Sequence, residues 1–326
     1  MTNALTIGRR SRDRGASPTA SRSRTRNARP PWQEPPTAVG QAAKGLTLGG
    51  MLAVVLVPLW IIVVTSFSTP GAVNRAGGLV IWPDGLSAEA YRQMLGDPTV
   101  RTSLLVSLGI TVVGTALSMA VSVLGAYGLS RPRSLGHRFI LVLLIITMFV
   151  NGGLIPTFLV VTGLGGYDQW WALILPSAVS VFNILILRSF YSGTSAELID
   201  AARMDGAGDW RILWSVVLPT TKAVTAVMTL FYAVGYWGSW FNTLLYTPFD
   251  NNKWPLSYVL YEYVNLGAKM PGMDSGGSGA DIQHQAAAPF AISMAVVVLT
   301  LIPILVVYPF LQKHFTKGML TGAIKG

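Results

Sequence analysis

Long apolar stretches constrain the fold of this chain more than any other feature. An α-helix needs about 20 mostly apolar residues to cross the hydrocarbon core of a bilayer. Helices and closed barrels are also the only structures that satisfy their backbone hydrogen bonds in lipid. The sequence therefore predicts an all-α membrane protein with transmembrane helices at residues 46–67, 102–129, 139–162, 170–190, 220–245 and 288–311.

Composition agrees with a membrane protein and excludes several kinds of site. Hydrophobic residues make up 51% of the chain and charged residues 12%, whereas soluble domains carry about 25% charged residues. The chain has no cysteine and three scattered histidines, so we expect no disulfide and no bound metal. It also lacks the G-x-x-x-x-G-K-S/T loop that holds nucleotide phosphates, so we expect neither a cofactor on this chain nor ATPase activity.

The first 44 residues differ from the rest. Residues 1–44 are rich in arginine, serine and proline and have almost no apolar content. This composition predicts a disordered cytoplasmic tail next to anionic lipid. A nucleic-acid partner is not expected, because no folded domain or interleaved aromatic residues accompany the arginines. We predict that residues 45–326 form the transmembrane domain and that the core of this domain spans about 101–311.

The distribution of basic residues predicts the orientation in the membrane. With six spans, both termini lie on the same side, and most lysines and arginines fall in the segments on that side. Positively charged loops stay in the cytoplasm. The bias remains when the arginine-rich tail is left out. We therefore predict that both termini and the polar loop 191–219 are cytoplasmic.

The polar loop has the pattern of a helix, a break and a second helix. Ser195 can cap the first helix, and Glu197 and Asp200 suit its positively polarised first turns. Gly206 and Gly208 interrupt it before a second helical stretch that leads to Pro219. Small and apolar residues form one smooth face of the first helix: Ala201, Ala202, Met204 and Ala207. This shape is suited to docking into a partner.

The spacing within this loop resembles the EAA loop of ABC-importer permeases. The sequence has Asp200-Ala201-Ala202, then Gly206, Val216 and Leu218-Pro219 at the intervals of that motif. It departs from the motif at Asp200, where glutamate is usual, and at Val216, where isoleucine is usual. The resemblance implies that the loop docks onto an ATPase through Glu197, Asp200, Ala201, Ala202, Asp205, Gly206, Leu218 and Pro219.

Other stretches are similar to the maltose-type carbohydrate permeases, and in particular to the second, G-type partner. They are residues 152–157 (GGLIPT), 171–176 (WALILP), 205–207 (DGA) and the ending 317–326. Within that family, the subgroup for oligosaccharides and uronates is the most similar. The resemblance covers about 45–326.

The resemblance implies a type I importer fold and a set of partners in a bacterial plasma membrane. A second permease would pair with this chain as a heterodimer. Two ABC ATPases would bind ATP and Mg²⁺ and drive the pair. An extracellular solute-binding lipoprotein would deliver a sugar or oligosaccharide.

The fifth predicted span carries a possible substrate path. Tyr232, Tyr236, Ser239 and Thr243 share one helical stripe. Aromatic rings can stack on sugar rings, and hydroxyl and amide groups can bond sugar hydroxyls. The predicted path comprises Tyr232, Tyr236, Trp237, Ser239, Trp240 and Asn242. Packing and the enrichment of Trp and Tyr at membrane interfaces could equally explain these residues.

The sequence leaves open the roles of two intramembrane amides and two alternative functions. Asn151 and Asn183 need partners, either a neighbouring helix or a substrate. The same machinery could carry a non-sugar solute, because the loop concerns docking and not cargo. A stand-alone secondary transporter is disfavoured, since the six spans contain no Asp or Glu.

Overall fold

The computed structural model of the chain describes residues 37–131, 136–150, 152–265 and 289–323, without the side chains of 308 and 310–323. The chain divides into two compact units, residues 1–54 and 55–326. Most of the predicted tail, 1–44, lies outside the described residues. The first helix nevertheless begins at Ala38, inside that range, because the alanine-rich segment before the span favours helix.

The described residues are helical almost throughout. The helices are α1 (Ala38–Ser66), α2 (Pro70–Arg75), α3 (Glu89–Gly96), α4 (Pro98–Ser130), α5 (His137–Phe149), α6 (Leu154–Gly163), α7 (Trp170–Ile174), α8 (Val181–Ser192), α9 (Ala196–Met204), α10 (Asp209–Ile212), α11 (Leu218–Thr220), α12 (Lys222–Trp237), α13 (Phe241–Tyr246), α14 (Leu256–Asn265) and α15 (Pro289–Ala323). Short 3₁₀ turns cover Leu175–Ser177 and Asn251–Lys253, and a π-helix covers Leu213–Val217. Within the described ranges no strand occurs, and one isolated bridge pairs Ser68 with Leu86.

Three helices are long and apolar enough to cross a membrane alone. These are α1, α4 and the part of α15 over Pro289–Val307. Three bent helix pairs raise the number of spans to six if each pair is one span. The pairs are His137–Phe149 with Leu154–Gly163, Trp170–Ser177 with Val181–Ser192, and Asp209–Thr220 with Lys222–Trp237.

Three of the spans are broken where the sequence predicts continuous helices. Within 139–162, α5 ends at Phe149 and α6 begins at Leu154. Between 170 and 190 the axis bends by 51° around a 3₁₀ turn that contains Pro176, because proline has no amide proton to continue the helix. Between 220 and 245 the helix α12 ends at Trp237, and Gly238 precedes a new helix. Glycine weakens a helix interior, so the chain can turn there at low energetic cost.

Helix α4 lies at the centre of the second unit. Its small residues are buried, as the sequence predicts: Ser107, Ser118 and Ser122 are at most 1% exposed. Small side chains let neighbouring backbones approach closely in a membrane. Helices α8 and α12 pack against this face. Helix α4 therefore connects the polar loop 191–219 to the predicted substrate path.

Candidate functional site

The polar loop begins with α9, which ends in a Schellman motif. The amide of Gly206 donates to the carbonyl of Arg203 at 3.0 Å, and the amide of Ala207 donates to the carbonyl of Ala202 at 2.9 Å. Gly206 adopts a positive φ of 78°, which this motif requires and which glycine adopts without steric cost. The glycine therefore sets the direction in which the chain leaves α9.

The prediction that the side chain of Ser195 caps α9 is wrong. Ser195 lies at the N-cap position, but its hydroxyl makes no capping hydrogen bond. Its backbone carbonyl instead accepts from the amide of Ile199 at 3.4 Å. The start of the helix depends on the backbone and on packing.

The residues of the predicted docking set divide between two faces. Ala202 and Leu218 pack inward, together with Ile199 and Ala207, onto a buried cluster of this chain. The other members of the set are exposed: Glu197, Asp200, Ala201, Asp205, Gly206 and Pro219. The smooth face predicted for α9 is therefore split, because Ala202 and Ala207 pack inward while Ala201 and Met204 point outward.

Four large apolar residues of the loop are also exposed, and of these only Met204 belongs to the docking face predicted from the sequence. Leu198 is 51% exposed, Met204 88%, Trp210 66% and Trp214 65%. The two tryptophans lie four residues apart in a polar loop, and this spacing could have identified them. Exposed apolar side chains grouped on one loop are typical of an interaction site.

The end of α4 holds the loop in place through polar contacts. Tyr127 Oη donates to the carbonyl of Asp209 at 3.1 Å, and Arg131 Nη2 donates to Tyr127 Oη at 2.6 Å. Arg203 Nη2 lies 3.6 Å from Asp209 Oδ1, but both side chains are more than half exposed. Such an exposed ion pair contributes about 0–1 kcal/mol. The hydrogen bonds at the end of α4 therefore hold the loop more firmly than the ion pair between Arg203 and Asp209 does.

The predicted substrate path leads to a cavity of about 290 Å³. Three residues of the predicted path line it, namely Tyr232, Tyr236 and Ser239. The remaining wall is formed by Ser177, Ser180, Asn183, Phe231 and Gly235. The cavity therefore lies where the break between α7 and α8 faces α12.

The two tyrosines use their hydroxyl groups within the protein. Tyr232 Oη lies 2.6 Å from Ser122 Oγ and accepts from the amide of Ser180. Tyr236 Oη lies 2.9 Å from Ser118 Oγ and donates to a backbone carbonyl of α7. The tyrosine rings form the wall of the cavity, while their hydroxyls join α12 to α4 and α8.

Three other residues of the predicted path do not line the cavity. Trp237 is 4% exposed, and its Nε1 donates to the carbonyl of Thr300 in α15 at 2.8 Å. Trp240 stacks on Tyr261 with ring centroids 4.4 Å apart. Asn242 Nδ2 donates to Ser177 Oγ at 3.2 Å. Each of these side chains makes a contact that supports packing between helices.

Of the two intramembrane amides, Asn151 lies outside the described residues. Asn183 lies in the third position of α8 and is 5% exposed. Its backbone amide donates to Ser180 Oγ at 3.4 Å, and its side chain lines the cavity. Within the part of the chain that the structure describes, no protein group hydrogen-bonds with its side-chain amide.

A charged cluster joins two loops at the other end of the helices. Lys253 Nζ lies 2.9 Å from Asp250 Oδ2 and 3.0 Å from Asp168 Oδ1. The hydrogen bond to Asp250, followed by that to Asp168, raises the pKa of Lys253, and the ammonium group lowers the pKa of Asp250. The cluster ties the loop after α6 to the loop after α13.

Residues 113–321 match the family described as binding-protein-dependent transport system inner membrane component. The chain belongs to this family. The match includes most of α4, the polar loop and every residue that lines the cavity.

Individual relatives agree with this family. The permease is 42% identical to the polygalacturonan/rhamnogalacturonan transport system permease protein YtcP of Bacillus subtilis, over 85% of this chain and 95% of YtcP. It is 40% identical to Protein LplC of the same organism, over 86% of this chain and 93% of LplC. Among solved structures, that of a bacterial ABC transporter involved in the import of the acidic polysaccharide alginate has 30% sequence identity and a TM-score of 0.77, covering 88% of this chain and 100% of that one.

These comparisons confirm the family resemblance seen in the sequence. The permease is an inner membrane component of a transport system that depends on a binding protein, and it is a transport subunit rather than an enzyme. Its helices have the type I permease fold of the alginate transporter chain. Among the described residues, no group of three or more His, Cys, Asp or Glu side chains could hold a metal ion.

Proposed function

We propose that this permease is one of two transmembrane subunits of an ABC importer for oligosaccharides that contain uronic acids. The observation that carries the proposal is the 42% identity to YtcP over 95% of that protein, since its name specifies transport of polygalacturonan and rhamnogalacturonan. The similarity to the alginate transporter supports the same chemistry, because alginate is also an acidic polysaccharide.

The proposal includes the orientation and the partners expected from the sequence. Both termini and the loop 191–219 lie in the cytoplasm, which the excess of basic residues in these segments supports. A second permease pairs with this one as a heterodimer. Two ABC ATPases bind ATP and Mg²⁺, and an extracellular solute-binding lipoprotein delivers the sugar.

The exposed face of the polar loop docks onto an ATPase in this proposal. Glu197, Asp200 and Asp205 are exposed and can pair with basic residues of the ATPase. Exposed apolar side chains beside them, such as Trp210 and Met204, supply area that docking can bury. The inward contacts of Ala202 and Leu218 fix the loop to α4, α8 and α12, so that movement of an ATPase would be passed on to those helices.

The cavity between α8 and α12 forms part of the sugar path in this proposal. Its wall combines aromatic rings from Tyr232, Tyr236 and Phe231 with small polar side chains. Ring faces and hydrogen-bonding groups together suit a sugar, which has both apolar faces and hydroxyls. Trp237, Trp240 and Asn242 support this wall through packing.

The proposal is tested by uptake of radiolabelled trigalacturonate in the native host. Deletion of the gene should abolish uptake, and the wild-type chain expressed in trans should restore it. A variant of the docking face, Asp200→Lys, should reach the membrane in normal amounts but restore little uptake, because it reverses a charge at the interface. Normal trigalacturonate uptake in the deletion strain would contradict the proposed cargo.

A further inference from the structure

We propose that the cavity between α8 and α12 binds hydroxyl groups of the transported sugar through Asn183, and that it makes no contact with the sugar's carboxylates. This inference rests on the proposed function and assigns a binding position and its chemistry to this subunit. It starts from the side-chain amide of Asn183, which lies at the cavity and which no described protein group hydrogen-bonds.

The side-chain amide of Asn183 has no described protein partner and is accessible from the cavity. Asn183 is 5% exposed and lines the cavity. Its side-chain amide is not among the fully buried polar groups of the described residues that lack a partner, so the amide is open to whatever occupies the cavity. A ligand with hydroxyl groups would satisfy it, since an amide offers donors and an acceptor and a hydroxyl can act as either.

The neighbouring serines extend this capacity. Ser177 Oγ accepts from Asn242 Nδ2, and Ser180 Oγ accepts from the amide of Asn183. A hydroxyl that accepts one bond still has its own proton to donate, so both serines keep a donor for a ligand. Ser239, two residues after the end of α12, lines the cavity beside the tyrosines. The cavity therefore presents one amide and three hydroxyls from two sides.

The tyrosines contribute ring faces but not free hydroxyls. Ser118 and Ser122 of α4 occupy the hydroxyl groups of Tyr236 and Tyr232. Together with Phe231, which is 48% exposed, their rings supply apolar surface. Recognition by hydrogen bonds is thereby left to Asn183 and the three serines, of which only Ser239 belongs to the path predicted from the sequence.

The lining contains no charged side chain. All residues around the cavity are neutral: Ser177, Ser180, Asn183, Phe231, Tyr232, Gly235, Tyr236 and Ser239. A carboxylate would find no cationic partner among these side chains. The volume of about 290 Å³ is also at the low end of small-molecule sites, which span about 300–1,000 Å³. The cavity therefore suits the hydroxyl-bearing side of a short sugar segment.

The test measures uptake of trigalacturonate by variants in the deletion strain, normalised to the amount of chain in the membrane. Asn183→Ala should lower the maximal uptake rate by roughly two- to tenfold, the loss expected for one neutral hydrogen bond. Asn183→Asp should retain at least the rate of Asn183→Ala, because a carboxylate still accepts bonds from sugar hydroxyls. Thr229→Val is the matched control and should behave as wild type, since Thr229 lies on α12, donates its hydroxyl to the carbonyl of Thr225 and does not line the cavity.

Two results would overturn the inference while leaving the proposed function intact. One is a wild-type uptake rate for Asn183→Ala. The other is a rate for Asn183→Asp more than tenfold below that of Asn183→Ala, because such repulsion would place the sugar's carboxylate in the cavity. If Asn183→Ala fails to reach the membrane, Ser239→Ala is measured in its place. A two- to tenfold loss of the maximal uptake rate then supports the inference, and a wild-type rate overturns it. If the wild-type chain itself restores no uptake, the proposed cargo fails and the inference falls with it.

Discussion

Replacing Gly206 by alanine should loosen the turn that ends α9 without disturbing the rest of the loop. Gly206 has a φ of 78°, a conformation that side chains with a Cβ atom adopt only at a cost. A Cβ added to Gly206 would meet no other atom within 4 Å. The cost of the substitution therefore comes from the backbone conformation of residue 206 itself and not from a clash with neighbouring residues.

The size of the effect follows from this geometry. Forcing an L-residue into the left-handed helical region costs about 1–2 kcal/mol. Because 1.4 kcal/mol corresponds to a factor of ten, the population of the open turn should rise about five- to thirtyfold. The two hydrogen bonds that close the turn, from the amides of Gly206 and Ala207, would break in the open state. Gly206→Asn should destabilise the closed turn less than Gly206→Ala does, since asparagine tolerates the left-handed helical region.

Hydrogen exchange of the purified chain measures this opening directly. The amides at positions 206 and 207 should exchange about five- to thirtyfold faster in Gly206→Ala. Gly208→Ala is the matched control, because Gly208 has a φ of −71° and also has open space around an added Cβ. Exchange within twofold of wild type in Gly206→Ala, or equal acceleration in Gly208→Ala, would refute the reasoning.

Two further predictions concern packing and orientation. Gly114→Ala should destabilise the chain by about 1–3 kcal/mol, because its Cβ would meet the ring of Tyr236 at 2.8 Å; Gly109→Ala, which meets nothing within 4 Å, is the control in thermal unfolding, and an equal melting temperature for both would contradict the contact. Since the chain has no cysteine, single cysteines at the exposed positions Asp205 and Asn251 can report orientation. A membrane-impermeant maleimide should label Asn251→Cys in intact cells and Asp205→Cys only after permeabilisation, and the reverse result would invert the proposed topology.

Hydropathy was sufficient to locate the helices, but not their breaks. Each predicted span is an average over about 20 residues, so a local interruption hardly changes it. Pro176 and Gly238 mark the two interruptions next to the cavity. Both residue types are visible in the sequence, yet proline and glycine are common in transmembrane helices. Only the packing around them decides whether a helix bends or continues.

Helical periodicity predicted that the two tyrosines share one face but could not identify what that face meets. Tyr232 and Tyr236 lie one turn apart on α12, and both line the cavity together with Ser239, which follows the end of that helix. The partners of the tyrosine hydroxyls, Ser122 and Ser118, are more than 100 residues away in the chain. Such long-range pairs leave no local signal. For the same reason, the sequence could not separate a packing amide from a ligand-binding one at Asn183.

The two functional regions share the same helix faces, and this arrangement explains how they could act together. On α12, Val224 and Met228 pack in the cluster that holds the polar loop, and Tyr232 and Tyr236 continue the same four-residue spacing to the cavity. Residues four apart lie one above another on a helix, so a single stripe of α12 connects the loop to the cavity wall.

Helix α4 provides the matching face. Its residues Ala126 and Leu129 belong to the cluster beneath the loop, and Ser122 and Ser118 hold the tyrosines further along the helix. Close-packed side chains transmit displacement and are not easily compressed. A shift of the loop relative to α4 would therefore move the tyrosines against their serines, and with them the wall that faces Asn183. The hydroxyl pairs between α4 and α12 are the contacts on which such coupling depends.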